Sequence, residues 1–271
     1  MSLISKEIEG HYQQVLESER LSEGVGELER VRTQAILAHY LPSPPAAIYD
    51  VGGAAGVYAF PLAEQGYQVH LIDPVELHLE QAWSRAAESG IELASITRGD
   101  ARQLDVPDQS AGAVLLLGPL YHLVESTDRS QALREARRIL KPGGALFAAA
   151  VSRFASLIDG LSRGFFADPG FRSIVAGDLA SGQHRNPMNH PAYFTTAYFH
   201  RPEELASEAR DAGFHDLELL AVEGPAWSAA RFGEAWDDEG QREKLLEFLS
   251  LVEREPSMLG ASAHLIAVGH R

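Results

Sequence analysis

Two kinds of hydrophobic pattern alternate along this chain. Short, nearly continuous apolar runs such as Ala47 to Val51, Val69 to Asp73, Ala113 to Leu117 and Ala145 to Val151 are separated by longer stretches whose apolar positions recur three and four residues apart. The first kind suits strands buried on both faces of a sheet, and the second suits helices packed against it. Strands are predicted near 47–51, 68–73, 92–97, 113–117 and 145–151, parallel and joined by right-handed helical crossovers. Helices are predicted over 76–88 and about 128–140, the latter stopped by Lys141-Pro142-Gly143-Gly144. Pro61 falls close to the start of the first crossover helix, where its missing N–H costs little. A helix from Pro202 stops at Gly213. Two last strands follow, at 217–222 and 264–268, separated by a long connection with one more helix at about 241–253.

Two segments stand outside this alternation. Residues 1–44 read as a helical cap, with Ile8, Tyr12, Val15 and Leu16 at helical spacing and a second helix near 27–40, on which Arg30 and Arg32 are expected on a solvated face. Residues 153–200 form an insertion. It opens on an apolar helix-like run (Phe154, Leu157, Ile158, Leu161, Phe165, Phe166) and closes on the aromatic-rich Tyr193 to His200. A connection this long is expected to be a lid or binding element. The core then comprises 45–152, completed by 201–271.

The chemistry is concentrated at the ends of the first two strands. Asp50-Val51-Gly52-Gly53-Ala54-Ala55-Gly56 is a strand end, a carboxylate and a glycine-rich turn, and Asp73 ends the second strand. The dinucleotide fingerprint fails, because from Gly52 its second and third glycines would fall on Ala54 and Val57. A nicotinamide-dependent oxidoreductase is therefore the weaker alternative. The spacing Asp-x-Gly-x-Ala-x-Gly, with Asp73, Gly99-Asp100-Ala101, Leu-Lys-Pro-Gly-Gly at 140–144 and Gly-Pro-Leu-Tyr-His-Leu at 118–123, resembles class I S-adenosylmethionine-dependent methyltransferases. Within them it is similar to the type 11, ubiquinone-biosynthesis-like bacterial branch acting on small molecules.

That resemblance covers about 47–152. It implies an α/β fold: a Rossmann-like, seven-stranded, mostly parallel sheet with an antiparallel last strand, carrying the cap and the lid. It implies S-adenosyl-L-methionine as cofactor, held by Asp50, Gly52, Gly53, Ala54, Gly56, Asp73, Pro74, Asp100, Ala101, Leu117, Tyr121 and, from the cap, Tyr12. In this reading Asp73 accepts hydrogen bonds from the ribose, although a helix-capping role is the competing one. Asp100 is expected to reach the adenine amino group. Ala54, standing where the family has a glycine, is expected to loosen the turn or to hold a negative φ.

Composition narrows the acceptor. A formal net charge of −15 without basic runs disfavours nucleic acid, so a small molecule is expected. With no cysteine there are no disulfides, thiolate ligands or thiol nucleophiles. No apolar stretch has the length of a membrane span or signal sequence, and a cytoplasmic protein is expected. His184, His190 and His200 lack helical ligand spacing, so no metal is expected. Methyl transfer to O, N or C is mainly a matter of alignment and water exclusion, with a base needed only for some acceptors. His122 is the first candidate for that base, and His200, Tyr193 and Tyr198 are candidates from the lid. A non-catalytic cofactor-binding protein would share the same core.

Overall fold

The computed structural model describes residues 6–12, except the side chains of Lys6, Glu9 and Tyr12, and residues 20–271. Seven strands build one sheet: β1 (Ala47–Val51), β2 (Gln68–Asp73), β3 (Ser95–Arg98), β4 (Ala111–Leu116), β5 (Leu140–Val151), β8 (His215–Ala221) and β9 (His264–His270). Their order is β3-β2-β1-β4-β5-β9-β8. The first five are parallel, and β9 runs antiparallel between β5 and β8. The reversal of strand order between β1 and β4 opens a crevice at their carboxyl ends, where such sheets bind ligands.

Burial follows the apolar pattern. Strand β4 is buried on both faces except at Gly112. On one face Leu133, Ala136 and Ile139 of the helix Ser126–Ile139 pack with Leu146 and Leu205. On the other, Phe60, Leu79 and Ala82 meet Ile48, Leu71 and Phe147. The helix Gly24–Tyr40 adds Ile36 and Leu37 to that second layer. Its Arg32 is buried instead of solvated, because its guanidinium reaches back to the Val222 carbonyl and pairs with Glu253. Arg30 is half-buried and bonded to the Leu21 carbonyl.

The stop at Lys141–Gly144 ends the helix as expected but belongs to the next strand. Pairing runs from Ala111 with Leu140 to Ala113 with Ala145, so the four residues bulge out of β5. The expected strand at 92–97 shortens to the edge strand β3. The insertion folds into the helices Ala155–Arg163 and Pro169–Ser181 and a small ribbon of β6 (Gln183–His184) with β7 (Ala197–Tyr198). It has its own small core of Phe171, Ile174, Val175 and Tyr193. Its two ends are joined: the Arg153 N–H donates to the His200 carbonyl at 2.7 Å, and the His200 N–H to Val151 at 2.8 Å. Among the described residues no helix is long and apolar enough to cross a membrane.

Candidate functional site

The carboxyl ends of β1 and β2 set the first wall of a cavity of about 470 Å³. Strand geometry brings Asp50 and Asp73 there because β1 and β2 pair in register, Asp50 beside Leu71 and Val51 beside Ile72. Asp50 is 1% exposed and its Oδ2 has no hydrogen-bond partner among the described residues. Burial, reinforced by the nearby Asp73 charge, pushes its carboxyl up to about 7. Asp73 is satisfied differently. Its Oδ2 accepts the Ala54 N–H at 2.9 Å, and its Oδ1 accepts the Val75 N–H at 2.9 Å and contacts His78 Nδ1 at 3.0 Å. Asp73 is not the helix N-cap: that position is Val75, which takes no side-chain cap bond, and the Asp73 contact to the Val75 N–H is a turn two residues long ahead of the helix Glu76–Ser89. A carboxylate with about four acceptor sites keeps room for a further donor.

The glycine turn is tight. A Cβ on Gly53 would stand 2.7 Å from the Asp50 carboxyl, and one on Gly52 would meet the Pro119 ring at 2.8 Å. Ala54 does not loosen this turn. Its φ is +47°, the left-handed conformation a glycine would take at ease, and its N–H is aimed at Asp73. The chain keeps the turn at the cost of an alanine in that region, on the order of 1 kcal/mol.

Of the expected cofactor residues, Asp50, Gly52, Gly53, Ala54, Asp73, Pro74, Asp100, Ala101, Leu117 and Tyr121 all line this cavity. Gly56 does not. It lies beneath the turn, where a Cβ would strike the Phe60 ring at 2.7 Å, so its part is packing. Asp100 faces the cavity already held by Arg102, whose Nη2 lies 2.6 Å from Oδ2 and whose Nη1 reaches Asp128 at 2.8 Å. The side chain of Tyr12 lies outside the described residues. Three features fit a nucleoside with a cationic tail: an orphaned buried carboxyl oxygen, a cradle that a Cβ would fill, and a second carboxylate one strand away.

A second cavity, of about 330 Å³, lies under the insertion, walled by Tyr193, Phe194, Phe199 and Trp227. The catalytic candidates separate here. His122 borders the first cavity, its Nδ1 3.4 Å from the Thr196 carbonyl oxygen and its ring stacked on Phe194. Tyr193 borders the second, with its hydroxyl donating to Asp168 at 2.9 Å. His200 borders neither. It is fully buried, its Nε2 3.2 Å from Glu208, and burial pushes its pKa down. Burial alone would raise Glu208, but hydrogen bonds from His200 and Arg129 hold it at about 2. Tyr198 is also absent from both walls, lying under the Arg129 guanidinium at 3.8 Å. The last two candidates sit in a structural ion-pair network because β7 turns them away from the cavities and toward the helix Pro202–Asp211.

Sequence reading missed a third group. Glu29, Glu223 and His264 bring metal-ligand-type atoms within 4.8 Å of one another, and Glu29 and His264 line the first cavity. The ring itself closes this cluster: His264 Nδ1 lies 2.6 Å from Glu223 and 3.6 Å from Glu29. Burial alone would lower His264, but the two carboxylates raise it to about 9, and the same pairing holds the fully buried Glu223 below its usual range. A signal for this was available. Adjacent antiparallel strands at 217–222 and 264–268 must set the residue after the first beside the residue that opens the second.

Residues 49–148 match the family described as "Methyltransferase domain". The chain is 32% identical over 127 residues to a ubiquinone/menaquinone biosynthesis C-methyltransferase of a Caulobacter species, an alignment covering 44% of this chain and 49% of that one. It is 31% identical over 200 residues to a ubiquinone biosynthesis O-methyltransferase of Methylobacterium nodulans, covering 70% of each. In several of these alignments the chain spans about half the length of the curated relative. A solved structure from Thermotoga maritima, described as a SAM-dependent methyltransferase and possible histamine N-methyltransferase, superposes with a TM-score of 0.57. It is 20% identical, and the match covers 96% of this chain and 98% of that one, which supports the fold.

Proposed function

The chain belongs to the class I S-adenosylmethionine-dependent methyltransferases, and we propose that its first cavity holds S-adenosylmethionine for methyl transfer to a small molecule seated in the second. The observation that carries this is the pair of carboxylates at the ends of β1 and β2, one of them buried with an unpartnered oxygen. The bound cofactor supplies an electrophilic methyl group on a sulfonium centre.

The protein's own part is to bind, orient and exclude water. Asp50 gives its orphaned oxygen to the ammonium of the amino-acid half, which restores the charge that burial suppresses. Asp73 accepts from the ribose hydroxyls while the Ala54 N–H fixes its carboxylate. Asp100, oriented by Arg102, and Ala101 flank the base. Tyr121, which lines both cavities, flanks the transfer path with the His122 and Phe194 rings and keeps water from it. His122 remains beside that path as a polar contact. The acidic surface disfavours nucleic-acid acceptors, and the aromatic second cavity favours a compact apolar one.

Calorimetry tests the reading. S-Adenosylhomocysteine is expected to bind to the full chain and NAD to give no heat. Binding of NAD in place of the sulfur nucleoside would reverse the assignment.

A further inference from the structure

Four buried side-chain atoms have no hydrogen-bond partner among the described residues: Asp50 Oδ2, Asp178 Oδ1, His184 Nε2 and His200 Nδ1. Asp178 and His200 border neither cavity, whereas Asp50 borders the first and His184 the second. Each cavity thus has one buried polar atom left unpaired at its wall, a costly condition that a bound molecule can relieve.

Three elements hold His184 in place. Its strand β6 pairs with β7, setting His184 beside Ala197, and its ring stacks on Phe199 with centroids 4.6 Å apart. Asp178, on the helix Pro169–Ser181, brings Oδ2 to 2.9 Å from Nδ1, and the same oxygen accepts the Ser156 hydroxyl at 2.6 Å. With the Nδ1–H donating to that carboxylate, the lone pair of the ring stands on Nε2, which makes Nε2 an acceptor. The rest of the wall limits the guest further. Ser156, Tyr193 and Trp227 turn their donors into the protein, to Asp178, Asp168 and the Ala261 carbonyl. Arg163, Arg20 and His264 each face a carboxylate of the protein, Asp159, Glu29 and Glu223 in turn, so an uncharged guest suits the cavity.

Resting on the methyl-transfer reading above, we infer that His184 is the recognition residue of the second cavity, and that the methyl acceptor is an uncharged, largely apolar ring compound whose N–H or O–H donates to His184 Nε2. The ring is accounted for by the walls Tyr193, Phe194, Phe199 and Trp227. Because His184 does not border the first cavity, the contact positions the acceptor and takes no part in moving its proton. One aromatic ring links the two ends: the Phe194 centroid lies 6.2 Å from that of His184 and 5.8 Å from that of His122, which borders the first cavity. The donating group is then a different atom from the one methylated.

The test uses the full chain saturated with S-adenosylhomocysteine. Indole and benzofuran share a shape but oppose a ring N–H to a ring oxygen, and indanol and indanone make the same comparison for O–H. In at least one pair the donor is expected to bind about tenfold tighter by calorimetry, since its isostere leaves a buried acceptor unpaired, and the pair with the larger ratio names the donor. The nitrogen NMR signal of His184 Nε2 is expected to move with that donor and to hold still with its isostere, a response that packing alone would not give. His184→Asn keeps a donor for Asp178 and removes Nε2, whereas His184→Phe keeps the stack on Phe199. Each is expected to level the pair, with S-adenosylhomocysteine affinity kept within about twofold, the scatter of substitutions outside its contacts. The parent's probe ratio and ring signal stand even where a variant fails to fold. Equal affinities within both pairs, a preference for benzofuran and indanone, no binding of any probe, or a preference that survives in the folded variants overturns the inference. Loss of S-adenosylhomocysteine binding in the parent would strike the methyl-donor reading instead.

Discussion

Two pairs of buried carboxylates lie in this molecule, and they are handled in opposite ways. Asp73 touches the His78 imidazole, whereas among the described residues Asp50 Oδ2 has no partner and burial forces its carboxyl up to about 7. Glu29 and Glu223 converge on an imidazole, and Glu223 stays charged although it is fully buried. A carboxylate pair that carries its own counter-charge is complete as a structure. In the methyl-donor reading proposed above, the buried Asp50 carboxyl is the one that a cationic ligand would relieve.

The comparison can be broken most forcefully at Glu223. Removing one partner of a buried ion pair costs about 3–5 kcal/mol, so Glu223→Ala is expected to lose that much stability in urea unfolding. A loss below about 1 kcal/mol would mean the pair is effectively solvated. Asp73→Ala comes next. Deleting an acceptor of charge-assisted ribose hydrogen bonds is expected to weaken S-adenosylhomocysteine by about 2–3 kcal/mol, roughly 100-fold, by calorimetry.

Asp50→Asn sharpens the contrast because its two effects have opposite signs. In the ligand-free protein the folded pKa lies above the unfolded value, so the penalty appears as pH rises above about 4 and is complete above about 7. The variant is therefore expected to melt several degrees above the parent at pH 8 and level with it near pH 4. Its cofactor affinity is expected to fall about tenfold, the worth of one charged hydrogen bond. A parent stability that does not decline over that range would remove the strain from the argument. The smallest effect is at the turn, where Ala54→Gly should raise stability by about 0.5–1 kcal/mol by relieving the positive φ.

These two regions were also unequally legible in the sequence. The first half of the site is local: Asp50, the turn and Asp73 span one strand–turn–helix–strand unit, so spacing alone places them together. The angle at Ala54 was misread because propensity favours a negative φ there, whereas the hydrogen bond to Asp73 holds it positive. The second half is assembled from positions near 29, 223 and 264: antiparallel pairing of β8 and β9 brings the last two together, and the helix Gly24–Tyr40 adds Glu29 from the far end of the chain. His200 looked chemical because it closes an aromatic run, yet Glu208 and Arg129 from two other helices claim that corner of the fold. Arg32 looked solvated for the same reason: its partners Val222 and Glu253 are remote in sequence.

The joining of Val151, Arg153 and His200 has a consequence for diversification. Because the excursion departs and returns through a single gate, the register of β5 is indifferent to what lies between. Relatives could then exchange most of the cassette while the ends of β1 and β2 stay as they are, with Thr196 the point at which the excursion itself meets the first cavity.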